Sequence, residues 1–354
     1  MVTDALVVVE QLRRRVPGGV GTYVRGLVKG LESTDVAVTA WASTGRSVGD
    51  PLASLNVPVV TTALPSRLLT RAWDAGLMAP PKGYDVVHAT SLVVPPRGSA
   101  PMTAMVHDLA WRAYPDAFPR RGRKWHEAAL GRTVARCEKL FVPSRLTADY
   151  LIKGGVPAAH IFVVSEGCDH LPQPDHAGAE AALRGRDVTG PFLLAVGTLE
   201  PRKNLSSLIA AYESAVGRLP EPWPLVVVGP HGWGESFRPP KGVIAFGAPD
   251  PAMIAALYAR CHLFVSVPLL EGYGLPVIEA MSMGAPVVAS PVPSAGGATL
   301  EVDPNDAGAI ADAIVVASLD ESVRRELVLK GRRHAKATTW SASAAAHVEI
   351  WKAL

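Results

Sequence analysis

Residues 263–280 read LFVSVPLLEGYGLPVIEA, and this segment decides the fold. The run Leu263–Val267 is short, apolar and rich in Val and Phe, which is typical of a buried strand. Pro276 suits the first turn of a helix, because proline lacks only an N–H group that would have no partner there. A buried strand, a glycine-containing loop and a helix in this order predict one step of a parallel sheet covered by helices.

The same alternation continues in both directions along the chain. Apolar runs predict strands at Ala5–Val9, Val36–Trp41, Asp85–Ala89, Met102–Val106, Leu140–Val142, Ile161–Val164, Phe192–Val196, Leu225–Val228, Val243–Phe246 and Val287–Ala289. Helical periodicity appears at Tyr23–Leu31, Trp125–Cys137, Leu205–Val216, Pro251–Ala259, Pro276–Met283 and Ala307–Ala317. The predicted fold class is therefore α/β, with two Rossmann-like doubly wound domains.

The chain has 354 residues, a length that suits two domains. The stretch Gly167–Gly190 is rich in Pro, Gly, Asp and His and predicts a linker. We expect an N-terminal domain over residues 1–166 and a C-terminal domain over residues 167–339, facing each other across a cleft. Ligands bind such sheets outside the carboxyl ends of the strands. The last stretch, Trp340–Leu354, is predicted to be an amphipathic helix.

Composition restricts the function classes. A hydrophobic content of 48% with 19% charged residues is typical of a globular protein, and a net charge of +3 does not favour nucleic acid as a partner. No apolar run reaches the roughly 18 residues that a membrane span needs. The start, MVTDALVVVEQLRRR, places basic residues after the apolar stretch, the reverse of a secretory signal, so we expect a cytoplasmic protein.

Two basic clusters, Arg13–Arg15 and Arg120–Lys124, interrupt this even composition. A solvated surface is one interpretation. The other is a dock for a phosphorylated acceptor or for anionic lipid, which would give peripheral contact with the inner face of the membrane.

Two carboxylates mark the first candidate site. Glu271 lies with Gly272 and Gly274 on the loop after a predicted strand, and Glu279 lies one turn into the following helix. A carboxylate can accept hydrogen bonds from both hydroxyls of a vicinal diol, so each glutamate can hold a sugar or a ribose. The alternative for Glu279 is that it only complements the helix dipole.

Residues 197–204, GTLEPRKN, form a second candidate site between a strand and a helix. Arg202 and Lys203 lie at the predicted helix N-terminus, where backbone N–H groups already favour anions. A guanidinium and an ammonium added there predict a diphosphate site. Asn204 is predicted to cap the helix. A solvated basic turn remains the alternative.

Two weaker signals also follow predicted strands. Residues 17–23, PGGVGTY, do not match the G-x-G-x-x-G fingerprint of NAD-binding proteins, and we favour close approach of this backbone to a phosphate or sugar. His107 precedes Asp108 at the end of a strand, where it can bond a substrate hydroxyl or serve a structural role. Because parallel strands end at the same edge, the four features are expected to converge.

With these motifs the chain resembles the retaining glycosyltransferases of family 4, which have the GT-B fold. The resemblance rests on the E-x7-E motif of residues 271–279 and on the Arg-Lys turn, and it extends over nearly the whole length. It includes residues 165–169, SEGCD, and residues 284–290, GAPVVAS. It also implies that the final helix, residues 340–354, packs back on the N-terminal domain.

The resemblance implies a role for each matching residue. Glu279 is expected to bind the ribose, and Glu271 the hydroxyls of the donor sugar. The diphosphate is expected to lie on Arg202 and Lys203. The predicted catalytic residues are His107, Glu271, Arg202 and Lys203, with His107 touching the donor sugar. The predicted donor-binding residues are Gly19, Thr198, Arg202, Lys203, Glu271, Gly272, Tyr273, Gly274, Leu275 and Glu279.

The chain departs from the family pattern in two places. Thr198 stands where relatives often carry an arginine, so phosphate binding depends more on Arg202 and Lys203. The stretch Ser290–Asp303 is a few residues shorter than the corresponding loop usually is.

The resemblance is strongest to mannosyltransferase-type members that build polysaccharides, which implies a GDP-mannose donor and a glycan or lipid-linked acceptor. UDP- and dTDP-sugars remain open as donors. No cofactor or metal is expected, because the sequence has no Asp-x-Asp motif and two basic residues take the place of an ion. Rival interpretations are a sugar-nucleotide epimerase, an NAD-dependent oxidoreductase and a periplasmic-type sugar-binding protein.

Overall fold

The computed structural model describes residues 3–45, 49–232 and 237–354. It divides the chain into two compact units. The first unit consists of Met1–Gly167 together with Thr339–Leu354, and the second consists of Cys168–Thr338.

The first unit is built on a parallel sheet. Its strands are β1 (Asp4–Val8), β2 (Ala37–Ser43), β3 (Val59–Thr62), β4 (Val86–Ala89), β5 (Met102–Met105), β6 (Lys139–Val142) and β7 (Ile161–Val163). Within the described part of the chain the strand order is β3-β2-β1-β4-β5-β6-β7, and neighbouring strands pair in parallel. The order reverses between β1 and β4, which makes the sheet doubly wound.

The second unit repeats this plan. Its strands are β8 (Leu193–Val196), β9 (Leu225–Val228), β10 (Val243–Gly247), β11 (Leu263–Ser266), β12 (Val287–Ala289) and β13 (Leu300–Glu301). Among the residues that the structure describes, the order is β10-β9-β8-β11-β12-β13, again with parallel pairing. The predicted fold class, two parallel α/β sheets, is confirmed.

Helices cover both sheets. In chain order they are α1 (Gly18–Leu31), α2 (Ser66–Asp74), α3 (Ala110–Ala113), α4 (Arg120–Arg136), α5 (Arg145–Lys153), α6 (His176–Arg184), α7 (Leu205–Val216), α8 (Pro251–Arg260), α9 (Leu275–Ser282), α10 (Ala307–Leu319), α11 (Glu321–Lys336) and α12 (Trp340–Lys352). Central strands are buried on both faces, as Leu225 and Val226 of β9 show with no exposed area. Their continuous apolar sequence follows from that burial.

Two local predictions were wrong. The stretch expected to be a linker contains α6, whose N-terminus is capped by the Asp175 side chain. Helix α4 begins at Arg120, several residues before the predicted start, so the second basic cluster lies in its first turn. The strands β3 and β13 and the helices α2, α3, α5 and α11 were not predicted.

Helix α12 packs against α1 in the first unit, at a patch without side chains. A Cβ atom on Gly26 would lie 2.1 Å from the Trp340 ring, and one on Gly30 would lie 2.3 Å from the Trp340 carbonyl oxygen. Only glycine at both positions leaves room for this tryptophan. Deeper in the same contact, the Tyr23 hydroxyl lies 2.9 Å from Nε2 of both His88 and His347.

Candidate active site

The turn after β8 carries the two predicted phosphate-binding cations. Residues Pro201–Lys203 form one turn of 3-10 helix, and α7 begins at Leu205. The predicted cap is wrong: Asn204 has left-handed backbone torsions, with φ of 57°, and its side chain makes no capping bond. Its Nδ2 instead donates to the carbonyls of Val267 and Pro304, at 3.0 and 2.8 Å. These bonds fasten the cationic turn to the loops after β11 and β13.

The ends of β8 and β9 approach very closely beside this turn. A Cβ atom on Gly229 would lie 1.9 Å from the carbonyl oxygen of Gly197, so only glycine fits at position 229. Beside this close approach of Gly229 to Gly197 lies a small cavity of about 40 Å³, lined in part by Gly197, Thr198 and Lys203. Thr198 therefore lies beside Lys203.

The cations of this turn converge on Glu271, which follows β11. Arg202 Nη1 donates to Glu271 Oε2 at 2.9 Å, and Lys203 Nζ contacts Glu271 Oε1. Arg202 also donates to Glu200 Oε1 and to the Leu270 carbonyl, both at 2.9 Å. Strands β8 and β11 are adjacent in the sheet, which brings the two loops together. The second candidate site and the first are thus one cluster of charges.

The charges of this cluster set the pKa of its carboxyls. Burial by itself would raise the pKa of Glu271, but Lys203 and Arg202 outweigh burial and lower that pKa to about 2. Glu200 behaves differently: burial raises its pKa, against the opposing charges of Arg202 and Lys203. Glu271 is therefore held as an anion at neutral pH, ready to accept hydrogen bonds.

Glu279 lies inside α9 and is held by two neighbours that the sequence analysis missed. His170 Nε2 donates to Oε1, and the Tyr258 hydroxyl donates to Oε2, both at 3.0 Å. Burial raises the pKa of Tyr258 well above its usual value, and the charge of Glu279 adds to the shift. The glutamate is 9% exposed, so the residue is not completely closed off from solvent.

The loop between the two glutamates has a fixed geometry. Gly274 has φ of 99° and immediately precedes α9, which begins at Leu275. Ser294 holds this loop by two hydrogen bonds. Its N–H donates to the Tyr273 carbonyl at 2.9 Å, and its hydroxyl donates to the Gly274 carbonyl at 2.7 Å. Gly272, Tyr273 and Leu275 are buried. The short stretch after Ser290 therefore packs directly on the predicted donor-binding loop.

The remaining predicted residues lie in the first unit. Gly19 is exposed in the first turn of α1, directly after Gly18, whose φ is +60°. The predicted glycine loop is thus largely the start of a helix. Arg13, from the first basic cluster, is not a solvated residue: it pairs with Asp50 and donates to the Ser43 carbonyl.

His107 follows β5 and has acceptors at both ring nitrogens. Nδ1 lies 3.2 Å from Glu166 Oε1, and Nε2 lies 2.9 Å from the Thr90 carbonyl. Burial would lower the pKa of His107, but the bond to Glu166 and its charge outweigh burial and raise it. A protonated ring would donate to both acceptors, so both nitrogens of this histidine already have partners within the first unit.

Three hydrogen-bonding partners of the site residues were not predicted, and they differ in whether the sequence carries a signal for them. Glu200 stands two residues before Arg202 in the same motif, and His170 follows the SEGCD segment closely. Tyr258 lies among apolar residues of α8 and carries no signal of its own. Over the described ranges, no cluster of three or more His, Cys, Asp or Glu side chains has the arrangement of a metal site. Over the same ranges, no helix is both long and apolar enough to cross a membrane.

Comparison with known families matches both parts of the chain. The Glycosyltransferase Family 4 model matches residues 17–170. The model described as Glycosyl transferases group 1 matches residues 190–320. The two matches lie one in each unit.

Individual proteins that are similar to this chain are also named as glycosyltransferases or mannosyltransferases. The chain is 27% identical over 303 residues to O-antigen chain mannosyltransferase B of Escherichia coli, covering 81% of this chain and 79% of that protein. It is 27% identical over 393 residues to D-inositol 3-phosphate glycosyltransferase of Xylanimonas cellulosilytica, covering 94% and 91%.

Solved structures show the same architecture. Anabaena Alr3699/HepE, solved in complex with UDP and glucose, superposes with a TM-score of 0.75 at 16% identity, covering 99% of this chain and all of that one. At that identity the likeness shows the fold. Taken with the parallel α/β sheet of each unit, it shows the GT-B fold, and the two family matches together identify this chain as a glycosyltransferase with a family 4 domain and a group 1 domain.

Proposed function

We propose that the protein is a retaining mannosyltransferase that transfers mannose from GDP-mannose to a glycan or lipid-linked acceptor. The observation that carries the proposal is the cluster of Arg202, Lys203 and Glu271. It places two cations and an ionised carboxylate at the carboxyl ends of adjacent strands, where parallel sheets bind ligands. A nucleotide sugar offers the complementary groups: a diphosphate for the cations and sugar hydroxyls for the carboxylate.

Donor binding would rearrange this cluster. The diphosphate competes with Glu271 for Lys203 and Arg202, because both partners are anions. Displaced from its ion pairs, Glu271 accepts hydrogen bonds from the sugar hydroxyls. Glu279, already oriented by His170 and Tyr258, has lone pairs left for the ribose hydroxyls.

The reaction follows from these contacts. The bond between the anomeric carbon and the β-phosphate oxygen breaks, and its electron pair stays on that oxygen. Lys203 and Arg202 stabilise the growing negative charge. The acceptor hydroxyl bonds to the anomeric carbon on the face that the phosphate leaves, and its proton passes to the leaving phosphate. The anomeric configuration is therefore retained, and the two cations supply the charge that a metal ion would otherwise provide.

The first unit contributes a hydrogen-bond donor. We assign His107 to a hydroxyl of the donor sugar, which would take the place of the Thr90 carbonyl as the acceptor at Nε2, while Glu166 keeps its bond to Nδ1. Gly19, exposed at the first turn of α1, has no Cβ atom to keep a phosphate away from its N–H group.

The choice of GDP-mannose is supported by the relative named O-antigen chain mannosyltransferase B. A UDP-sugar is the second candidate, favoured by the solved complex of HepE with UDP-glucose, which has the same fold. The two candidate donors differ in base and sugar. The cluster on Glu271 would contact the diphosphate and the sugar hydroxyls, which both donors have.

Calorimetric titration with GDP, UDP, dTDP and ADP, with and without Mg²⁺, tests the donor. We expect micromolar binding of GDP, independent of Mg²⁺ and lost in Lys203→Ala. Proton NMR of the product from GDP-mannose then reports the anomeric configuration. Binding of UDP in preference to GDP would overturn the donor assignment, a requirement for Mg²⁺ would overturn the metal-independent mechanism, and an inverted product would overturn retention.

A further inference from the structure

A second basic site lies in the first unit, beyond the carboxyl edge of its sheet. The chain leaves β5, passes His107, and forms α3 and then α4. A pocket of about 450 Å³ opens there, lined by Trp111, Arg120, Arg123, Lys124 and Glu127. It belongs wholly to the first unit, and none of its residues is used by the proposed donor site.

The three cations of this pocket are not engaged elsewhere. Among the described residues, the side chains of Arg120, Arg123 and Lys124 have no ion pair. Glu127, the one acid of the lining, is already neutralised: its two oxygens accept from Arg112 Nε and Nη2 at 2.8 and 2.7 Å. The pocket therefore presents uncompensated positive charge.

The position of these cations opposes helix stability. They occupy the first turn of α4, which contains no acid and has no side-chain cap. A helix N-terminus carries partial positive charge, so each cation there is unfavourable, by about 0.3–1 kcal/mol. An anion in the pocket would lie beside these cationic side chains and would remove this repulsion.

One wall of the pocket is rigid and aromatic. Trp111 is 4% exposed, and its Nε1 donates to Glu127 Oε1 at 2.7 Å. Its ring stacks on His126, with the ring centres 4.7 Å apart and the planes inclined by 25°. The tryptophan is thus held in place before any ligand arrives, and its edge offers an apolar contact beside the cations.

From these observations we infer that the pocket binds a phosphate or diphosphate group of the acceptor. The inference rests on the proposed function, because it identifies the acceptor class of the transferase as a phosphorylated one. A soluble sugar phosphate and a lipid-linked diphosphate share this chemistry. Three basic side chains around one pocket suit an anion of more than one charge.

Pyrophosphate titration tests the pocket directly. The parent is Lys203→Ala, in which the donor site is disabled, and the test variant adds Arg120→Gln, Arg123→Gln and Lys124→Gln. We expect calorimetry to show at least about a tenfold weaker Kd for inorganic pyrophosphate in the test variant. A matched control adds Arg67→Gln, Arg71→Gln and Lys82→Gln, three exposed cations of the same unit, and should keep the parent Kd. Equal Kd values in test and control variants would overturn the proposal.

Vesicle binding separates the two sources. Wild type, test triple and control triple, all with Lys203 intact, are floated with phosphatidylcholine vesicles with and without phosphatidic acid. Binding to the phosphatidic acid vesicles that is lost in the test triple alone points to a lipid-linked phosphate. Pyrophosphate binding without vesicle binding points to a soluble phosphate. Vesicle binding by the wild type, combined with no pyrophosphate binding by the Lys203→Ala parent, would overturn the pocket, because surface charge alone would explain it.

Failure of the proposed function gives a different pattern. Suppose that the wild type binds none of the four nucleotides, but the test triple still binds pyrophosphate more weakly than the wild type does. The pocket proposal would then be supported, and the proposed donor site would be overturned. In the active enzyme we expect the test triple to raise KM for the acceptor and to leave KM for the donor unchanged.

Discussion

Lys203 and Glu271 are 68 positions apart in the chain, yet their side chains form an ion pair. Arg202 also pairs with Glu271, so the three side chains form one cluster of charges. The pair joins the turn that precedes α7 to the loop that precedes α9.

Removing Lys203 should abolish most of the transfer activity. One preorganised donor to a leaving group is worth about 2.7–4 kcal/mol, so Lys203→Ala should lose a hundredfold to a thousandfold in turnover. The melting temperature should fall only in part, because Arg202 still pairs with Glu271, and the variant should stay folded. Lys241→Ala, an exposed lysine of the same unit, is the control. Wild-type turnover in Lys203→Ala would show that the site assignment is wrong.

The ion pairs of Glu271 should make stability depend on pH in the acid range. The pKa of this carboxyl falls from 4.5 to about 2 on folding, so its contribution is complete above pH 4.5 and is lost as the pH falls through 2. The contribution is about 3 kcal/mol at neutral pH. In urea titrations at several pH values, Glu271→Gln should show a smaller loss of stability between pH 4.5 and 2 than the wild type. Identical slopes would contradict the low pKa.

Tyr258→Phe should weaken nucleotide binding without removing it. The change leaves Oε2 of the buried Glu279 without its donor, which costs about 1 kcal/mol of stability and lets the carboxylate turn away from the ribose. Tyr212→Phe is the matched control, because Tyr212 is buried in the same unit and donates only to the Trp223 and Gly242 carbonyls. Calorimetry should show weaker nucleotide binding in the first variant alone, whereas both should unfold at lower urea. Equal nucleotide affinity in the two variants would count against a ribose at Glu279.

Glu166→Gln should lower the pKa of His107, because the hydrogen bond and the charge of this carboxylate raise that pKa against the effect of burial. A raised pKa in the folded state stabilises the protein fully below the unfolded value of 6.5, and this contribution disappears as the pH rises through the folded pKa. NMR titration of the ring resonances in wild type and variant measures the shift. A pKa of His107 that does not change would mean that Glu166 does not control its charge.

Gly26→Ala should undock α12, because the new methyl group would overlap the Trp340 ring. Overpacking of this kind costs about 1–3 kcal/mol. Gly131→Ala is the control: this glycine lies in α4 with no atom within 4 Å of an added Cβ, and the change should stabilise by about 0.4–1 kcal/mol. Urea denaturation should therefore move in opposite directions for the two variants. A Gly26→Ala protein as stable as the wild type would contradict the tight contact with Trp340.

The fold could be predicted where burial leaves a pattern. Val265 in β11 is fully buried, and Pro276 lies in the first turn of α9, so the segment at 263–280 carried clear signals. Strand β3 carried none, because it lies at the sheet edge with Val59 and Val60 exposed by 39% and 37%. Edge strands lack the continuous apolar run of central ones.

The candidate site residues could be selected one by one from the sequence, but the contacts among them could not. Arg202 and Glu271 were each selected for the ligand that they offer, whereas their ion pair depends on β8 lying next to β11. Hydrophobic periodicity does not indicate the order of the strands in a sheet. Tyr258 was missed because, on an apolar stretch of α8, it is indistinguishable from a core aromatic until Glu279 is seen beside its hydroxyl.

The return of α12 to the first unit also governs how the protein is made. Tyr23 and His347, which share a hydrogen bond, are 324 positions apart. Synthesis runs from the N-terminus, so the whole of the second unit, continuous from Cys168 to Thr338, is synthesised before α12. Until α12 is added, the first unit lacks the tryptophan that covers Gly26 and Gly30. The unit that is begun first is therefore finished last, and a chain that ended before α12 would leave this face of α1 uncovered.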